Sequence, residues 1–227
     1  MATAYLVNFG FDTSIILELI SEYSPRTGDK IVLLRPKDEP IALERATKAV
    51  NEIKSLISTL REANRLVELQ DISLETSDPL QASAEIANEA LRLREDFGRI
   101  VMDISAGVRT ITVAAITCAT LNPHLFDEVT MLAEPLRQRV RLPVREVLEL
   151  KDVRLAMTLV EASLNRDLKS IAQKLKTTES SISRRLTKLE RVGLVSHTRG
   201  KIALTAQGSR ILPLVNVCVL SRPLEKF

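Results

Sequence analysis

Short apolar runs alternate with segments of helical periodicity through the first 147 residues, and this alternation limits the possible folds more than any other feature. After each run, apolar residues recur every three or four positions, as on one face of a helix. Strands separated by helices are typical of βαβ units, in which the strands are parallel and right-handed crossovers place the helices on the faces of the sheet. The sequence therefore predicts an α/β fold with a mostly parallel, doubly wound sheet.

We predict six strands with helices between them. In the common doubly wound orders, the first strand and a later one flank the point where the strand order reverses, and ligands bind there, outside the carboxyl ends of the strands. The strands are expected at residues 4–9, 30–34, 66–69, 99–104, 129–133 and 139–147.

Two loops leave a predicted strand, pass a glycine and enter a helix: residues 8–14 and 103–110. Glycine allows close approach to the main chain, and a helix N-terminus presents free N–H groups, so the loops suit a phosphate or another anion. Arg109 would add a charged fork. The alternative is that the glycines only serve tight turns and that Arg109 pairs with Asp103 to brace its loop. The candidate ligand-binding residues are Asn8, Gly10, Phe11, Asp12, Ser105, Ala106, Gly107, Arg109 and Thr110.

The familiar enzyme signatures are absent from the sequence. It has no G-x-G-x-x-G fingerprint and no G-x-x-x-x-G-K-[ST] loop, and Ser105 is not in a G-x-S-x-G elbow. The two histidines, His124 and His197, are far apart and give no metal-ligand spacing. We therefore expect no catalytic residue, no metal and no cofactor, and we expect Asp103 to orient its own loop.

Composition indicates a folded protein of the cytoplasm. Hydrophobic residues are 45% and charged residues 27% of the chain. The longest apolar stretches are short for a membrane span, and no basic residue leads into an apolar run at the N-terminus, so we expect neither a membrane partner nor a secretory signal. Cys118 and Cys218 lie in apolar runs and are expected to be reduced core residues.

Charge divides the chain into two parts. Residues 1–150 carry 17 basic and 23 acidic residues, a net charge of −6, whereas residues 151–227 carry 15 basic and 6 acidic residues, a net charge of +9. A basic segment beside an acidic one suggests two modules, the second facing a polyanion; the alternative is an ordinary solvated surface. We place the domain boundary between residues 147 and 148.

The second module has the pattern of a helix-turn-helix. Helices are predicted over 153–162, 166–175 and 179–192, and the third has an apolar stripe opposite a basic face. Two short strands around a basic tip follow, and this order is typical of a winged helix that binds DNA. The alternative is a helix-turn-helix fold used only for protein contact. The candidate DNA-binding residues are Ser180, Ser181, Arg184, Arg185, Lys188, Arg199 and Lys201.

Together, the two modules resemble the CRISPR-associated CARF–winged-helix transcriptional regulators of archaea. N-F-G-F-D at residues 8–12 and D-I-S-A-G-V-R-T at residues 103–110 carry the resemblance; the second is similar to the family's D-x-[ST]-x-G-x-[RK] loop. The DNA-binding module resembles MarR-like domains. The resemblance implies a Rossmann-like sensor domain that forms a homodimer, binds a cyclic oligoadenylate (cyclic tetra-adenylate is the first candidate) and controls CRISPR genes in antiviral defence. Two alternatives stay open: a MarR-type regulator of another small anion, and a CARF protein that also cleaves its ligand.

Overall fold

The computed structural model describes residues 1–37, 40–62, 65–133, 138–198 and 201–220. Contacts divide the chain into two units, Met1–Leu142 and Pro143–Phe227. The boundary expected between residues 147 and 148 falls within a short helix, Val144–Glu149, near the start of the second unit.

The first unit is a six-stranded sheet with helices on both faces. The strand order is β3-β2-β1-β4-β5-β6, with β6 antiparallel to β5 and every other pair parallel. This is the mostly parallel Rossmann-like sheet that the alternation of strands and helices predicts. The elements are β1 (Thr3–Asn8), α1 (Ser14–Tyr23), β2 (Lys30–Pro36), α2 (Pro40–Glu62), β3 (Glu68–Leu74), α3 (Pro79–Asp96), β4 (Arg99–Asp103), α4 (Arg109–Leu121), β5 (Glu128–Ala133) and β6 (Gln138–Arg141).

The central strands are apolar because both of their faces are covered. Val7 and Phe9 pack with Ile16 of α1 and Ile53 of α2 in one core cluster. Leu6, whose side chain points to the other face, is also fully buried. On that other face α3 and α4 pack against each other. This two-sided core fixes the sheet edge from which the candidate loops emerge.

Two predicted strands differ in extent from the observed ones. β3 runs from Glu68 to Leu74 rather than over residues 66–69. It is an edge strand with polar residues among its positions, so its hydrophobic pattern does not mark its extent. The single strand expected at 139–147 is wrong, since β6 ends at Arg141 and α5 (Val144–Glu149) follows. Pro143, the N-cap of α5, has no N–H for a strand ladder and separates the two elements.

Among its described residues, the second unit contains four helices after α5 and a two-stranded antiparallel sheet. Asp152, Asp167 and Thr178 cap three of these helices with their side chains. The buried core includes Leu159, Ile171, Ile182, Leu189, Leu194 and Ile202. The elements after α5 are α6 (Val153–Leu164), α7 (Leu168–Lys174), α8 (Glu179–Arg191), β7 (Val195–Thr198), β8 (Lys201–Leu204) and α9 (Ala206–Leu220).

Cys118 is a core residue of α4, as predicted, and has no disulfide partner among the described residues. Burial raises the pKa of its thiol to about 11. The side chain of Cys218 lies outside the described residues. Within the described part of the chain, no helix combines the length and the apolar character needed to cross a membrane.

Candidate functional site

The two predicted loops lie side by side at the carboxyl ends of β1 and β4, where the strand order reverses. A Cβ atom built on Gly10 would stand 3.1 Å from Cα and 3.3 Å from the backbone nitrogen of Gly107. A side chain at residue 10 would therefore crowd the main chain of Gly107. The floor between the loops is therefore backbone, at the position where doubly wound sheets bind ligands.

Glycine is required at residue 107 for two reasons. Its φ is +88°, a conformation that residues with a Cβ rarely adopt. A Cβ there would also overlap the side-chain oxygen of Asn8. Asn8 is fully buried and donates from Nδ2 to Thr112 Oγ1 at 2.8 Å, and its Oδ1 has no hydrogen-bond partner among the described residues. The 103–110 loop thus rests directly on the Asn8 amide.

The helix that follows this loop begins without a side-chain cap. Val108 is the N-cap of α4 and makes no side-chain hydrogen bond, and the first turn contains no acidic residue. The leading N–H groups of α4 therefore keep their partial positive charge. Arg109 is exposed in the first turn, next to half-buried Thr110. The arrangement is chemically suited to an anion.

The other predicted ligand residues occupy different surroundings. Phe11 is 48% exposed, which is unusual for a phenyl ring. Asp12 is exposed, and its Oδ1 accepts a hydrogen bond from the Ser14 backbone at 2.9 Å, so it shapes the turn before α1. Ser105 and Ala106 are half-buried. The structure therefore brings Asn8, Gly10 and Gly107 into close contact and leaves Phe11 and Arg109 accessible around them.

The Ser105 hydroxyl already has partners within the protein. Its Oγ accepts hydrogen bonds from the backbone nitrogen of Leu132 at 2.8 Å and from Arg139 Nη1 at 3.2 Å. Its own proton remains available for one donated bond. Ser105 thus joins its loop to β5 and to Arg139, a connection that the sequence did not reveal.

Asp103 anchors the same loop from inside the sheet. It is fully buried, and its Oδ1 accepts from the Ser105 backbone at 2.9 Å, which confirms that Asp103 orients its own loop. Its Oδ2 accepts from Thr130 Oγ1 at 3.1 Å and pairs with the guanidinium of Arg139. The alternative in which Arg109 braces the loop by pairing with Asp103 is therefore wrong, because Arg139 occupies that role.

Arg139 is the residue that the sequence analysis missed. Its side chain is only 1% exposed, and its Nε donates to Glu22 at 2.9 Å. The guanidinium lies 5.8 Å from the ring centroid of Tyr23, whose hydroxyl donates to Glu128 at 3.2 Å. Burial, with Glu128 nearby, raises the pKa of Tyr23 to about 12 and keeps its phenol neutral. The sequence feature that could have identified Arg139 is an arginine inside a predicted strand with no acidic residue beside it.

In the second unit, α8 has one apolar side and one polar side. Ile182, Leu186 and Leu189 are buried, whereas Arg184 and Lys188 are exposed on the opposite side. The remaining predicted DNA contacts vary: Ser180 and Lys201 are exposed, Ser181 and Arg185 are half-buried, and Arg199 lies outside the described residues.

The comparison with protein-family models concerns the first unit. Residues 3–143 match the model of the Csa3 CRISPR-associated Rossmann-like domain. A comparison with curated protein sequences found no match. The match spans the described sheet from its first strand to the end of the unit.

Three solved structures are similar to this chain at low sequence identity. Csm6 of Enterococcus italicus, bound to cyclic hexa-2'-fluoro-hexa-dAMP, has a TM-score of 0.49 and 11% identity, over 84% of this chain and 55% of its own. VC1899 of Vibrio cholerae has a TM-score of 0.45 and 10% identity, over 92% and 64%. Can2 of Sulfobacillus thermosulfidooxidans, in complex with cyclic tetra-adenylate, has a TM-score of 0.40 and 13% identity, over 99% and 70%. The chain thus spans less than two thirds of the first two structures, and likenesses of this size carry no functional argument.

The family model covers more than half of the chain and coincides with the sheet unit that holds both glycine loops. The chain therefore belongs to the family of the Csa3 CRISPR-associated Rossmann-like domain.

Proposed function

We propose that this protein is a ligand-responsive transcriptional regulator of CRISPR loci that acts in the cytoplasm. Its first unit binds a cyclic oligoadenylate, with cyclic tetra-adenylate the first candidate, and its second unit is a winged helix-turn-helix that binds DNA. The observation that carries the proposal is the contact of Gly10 with Gly107 beside the uncapped start of α4, in a chain of this CRISPR-associated family.

The accessible groups around the two glycines match the parts of an oligoadenylate. A phosphodiester would lie near the first N–H groups of α4 and would be held by the Arg109 guanidinium. The exposed ring of Phe11 offers a stacking surface for an adenine base. The glycine floor lets the ligand approach the main chain closely.

Removing the Arg109 side chain tests the ligand assignment. A charge-assisted contact of this kind contributes about 1.5–3 kcal/mol. We therefore expect Arg109→Ala to weaken the binding of cyclic tetra-adenylate by about 10–150-fold in calorimetric titration. Affinity for DNA without ligand should stay close to that of wild type.

Arg26→Ala serves as the matched control. Arg26 is exposed just before β2, at the amino ends of the strands, whereas the candidate site lies at their carboxyl ends. This variant should bind the ligand as wild type does. Wild-type ligand affinity in Arg109→Ala would overturn the phosphate role of Arg109. Analysis of the nucleotide after incubation separates a receptor, which leaves the ring intact, from a nuclease that opens it.

We propose a homodimer as the binding form. α4 exposes Val113 at 52% and Ile116 at 41%, and it carries no charged residue after Arg109. An exposed apolar helix face beside the ligand loops is suited to a subunit interface, and a two-fold axis would let each subunit supply the same loops.

Sedimentation velocity measures this association. We expect wild type to be a dimer at micromolar concentration and Ile116→Asp to be a monomer. The control Leu80→Asp, which places the same charge at a side chain 69% exposed on α3, should remain dimeric. A monomeric wild type would remove the basis for a shared ligand site.

DNA binding is the second half of the proposal. The recognition helix would be α8, whose exposed basic side is suited to the major groove, and the β7–β8 hairpin would be the wing. A ligand changes DNA affinity only by as much as its own affinity differs between the state that binds DNA and the state that does not.

A further inference from the structure

Arg139 joins the loop of the proposed ligand site to the strand that leads into the second unit. Its guanidinium contacts Asp103 and Ser105 of the loop, and the residue itself belongs to β6. We infer that Arg139 is the positioning residue through which β6 registers the occupancy of the 103–110 loop. The inference rests on the proposed function, because it assumes a ligand at that loop.

β6 begins at the edge of the sheet that carries the site and runs away from it. Its first residue, Gln138, pairs with Ala133 at the carboxyl end of β5, and its last, Arg141, pairs with Thr130. The next residue, Leu142, donates to Val129 and is the last of the first unit. We expect a shift of β6 and Leu142 to reach Pro143, where the second unit begins, through the chain.

β6 offers few side chains to the interior of the unit. It is a four-residue edge strand that pairs only with β5 in the described sheet. Two of its four residues, Gln138 and Arg141, are exposed. The Arg139 side chain, 1% exposed, is thus the main buried anchor of the strand, so its position and that of β6 must change together.

Because of the contacts of Arg139, a displacement of the 103–110 loop would move both Asp103 and Arg139. Asp103 holds the backbone of Ser105, and Arg139 holds its hydroxyl. A ligand that moves Ser105 must therefore pull on both members of the buried ion pair. Arg139 Nη2 is buried without a hydrogen-bond partner among the described residues, so the guanidinium has a spare donor with which to exchange partners.

The experiment measures DNA affinity of the full chain with and without saturating cyclic tetra-adenylate. Arg139→Lys keeps a positive charge beside Asp103, but one ammonium cannot reproduce the planar fork that also reaches Ser105. We expect the ratio of the two DNA affinities to fall from its wild-type value to within about twofold of one in this variant. A purely structural role would lower the melting temperature and leave the ratio unchanged.

Two further variants complete the test. Glu22→Gln, at the 50% exposed partner of Arg139, should retain the wild-type ratio. Ser105→Ala removes one acceptor and leaves the ion pair intact, and it should reduce the ratio even if Arg139→Lys fails to fold. A wild-type ratio in folded Arg139→Lys or in Ser105→Ala would overturn the inference and leave the proposed function standing. A wild-type protein whose DNA affinity ignores the ligand would overturn the proposed regulation itself, before any variant is compared.

Discussion

Replacing both Arg184 and Lys188 with alanine is expected to lower the affinity for duplex DNA by at least about 5–160-fold, the effect of losing the arginine alone. Both side chains are exposed on the polar side of α8, opposite the buried stripe of Ile182, Leu186 and Leu189. Loss of a base-reading arginine costs about 1–3 kcal/mol of binding free energy and relaxes specificity. Loss of a phosphate-contacting lysine weakens binding to all DNA sequences similarly and reduces the slope of log affinity against log salt concentration by about one. Arg185 is left in place because it is half-buried.

Fluorescence anisotropy at several salt concentrations measures both effects. The matched control is Lys48→Ala with Lys54→Ala, which removes the same charge from exposed positions on α2. The control should lose little affinity, because its lysines lie in the other unit. Unchanged DNA affinity in a folded Arg184/Lys188 variant would refute α8 as the recognition helix.

Gly107→Val is expected to abolish measurable binding of cyclic tetra-adenylate, a loss of more than about 100-fold. Valine is β-branched and is strained at a φ of +88°. Its Cβ would overlap the Asn8 amide, so the loop must lift from the position in which it meets Gly10. We expect the same variant to lose about 2–4 kcal/mol of unfolding free energy.

Gly28→Val separates strain from site geometry. Gly28 has a φ of +92°, yet a Cβ there would have no atom within 4 Å. This control should lose stability through the backbone alone and keep its ligand affinity. Calorimetry and melting curves on both variants make the comparison, and near wild-type ligand binding by Gly107→Val would show that the glycine floor is not the binding surface.

Much of the first unit follows from the sequence because its information is local. A central parallel strand is apolar on both faces, so β1, β2 and β4 are visible as continuous runs. Parallel strands separated by helices also bring the carboxyl-end loops to one edge, which is why the meeting of Gly10 and Gly107 was predictable. The helices α7 and α8 were predictable from their caps and apolar spacing.

The errors have a different origin. β3 and β6 are edge strands with polar positions, so hydrophobic pattern marks their extent poorly. Arg139 is separated from Asp103 by 36 positions, and only the antiparallel return of β6 brings the two charges together. A buried long-range ion pair leaves no periodic trace in a single sequence, and so the sequence did not reveal Arg139 as the partner of Asp103.

The buried thiol of α4 bears on how the protein can be labelled. A thiol with a pKa of about 11 is ionised to about one part in ten thousand at pH 7, and thiolate is the species that reacts with maleimides and oxidants. Burial also denies reagents access to Cys118. A spectroscopic probe can therefore be attached to an introduced surface cysteine with Cys118 retained.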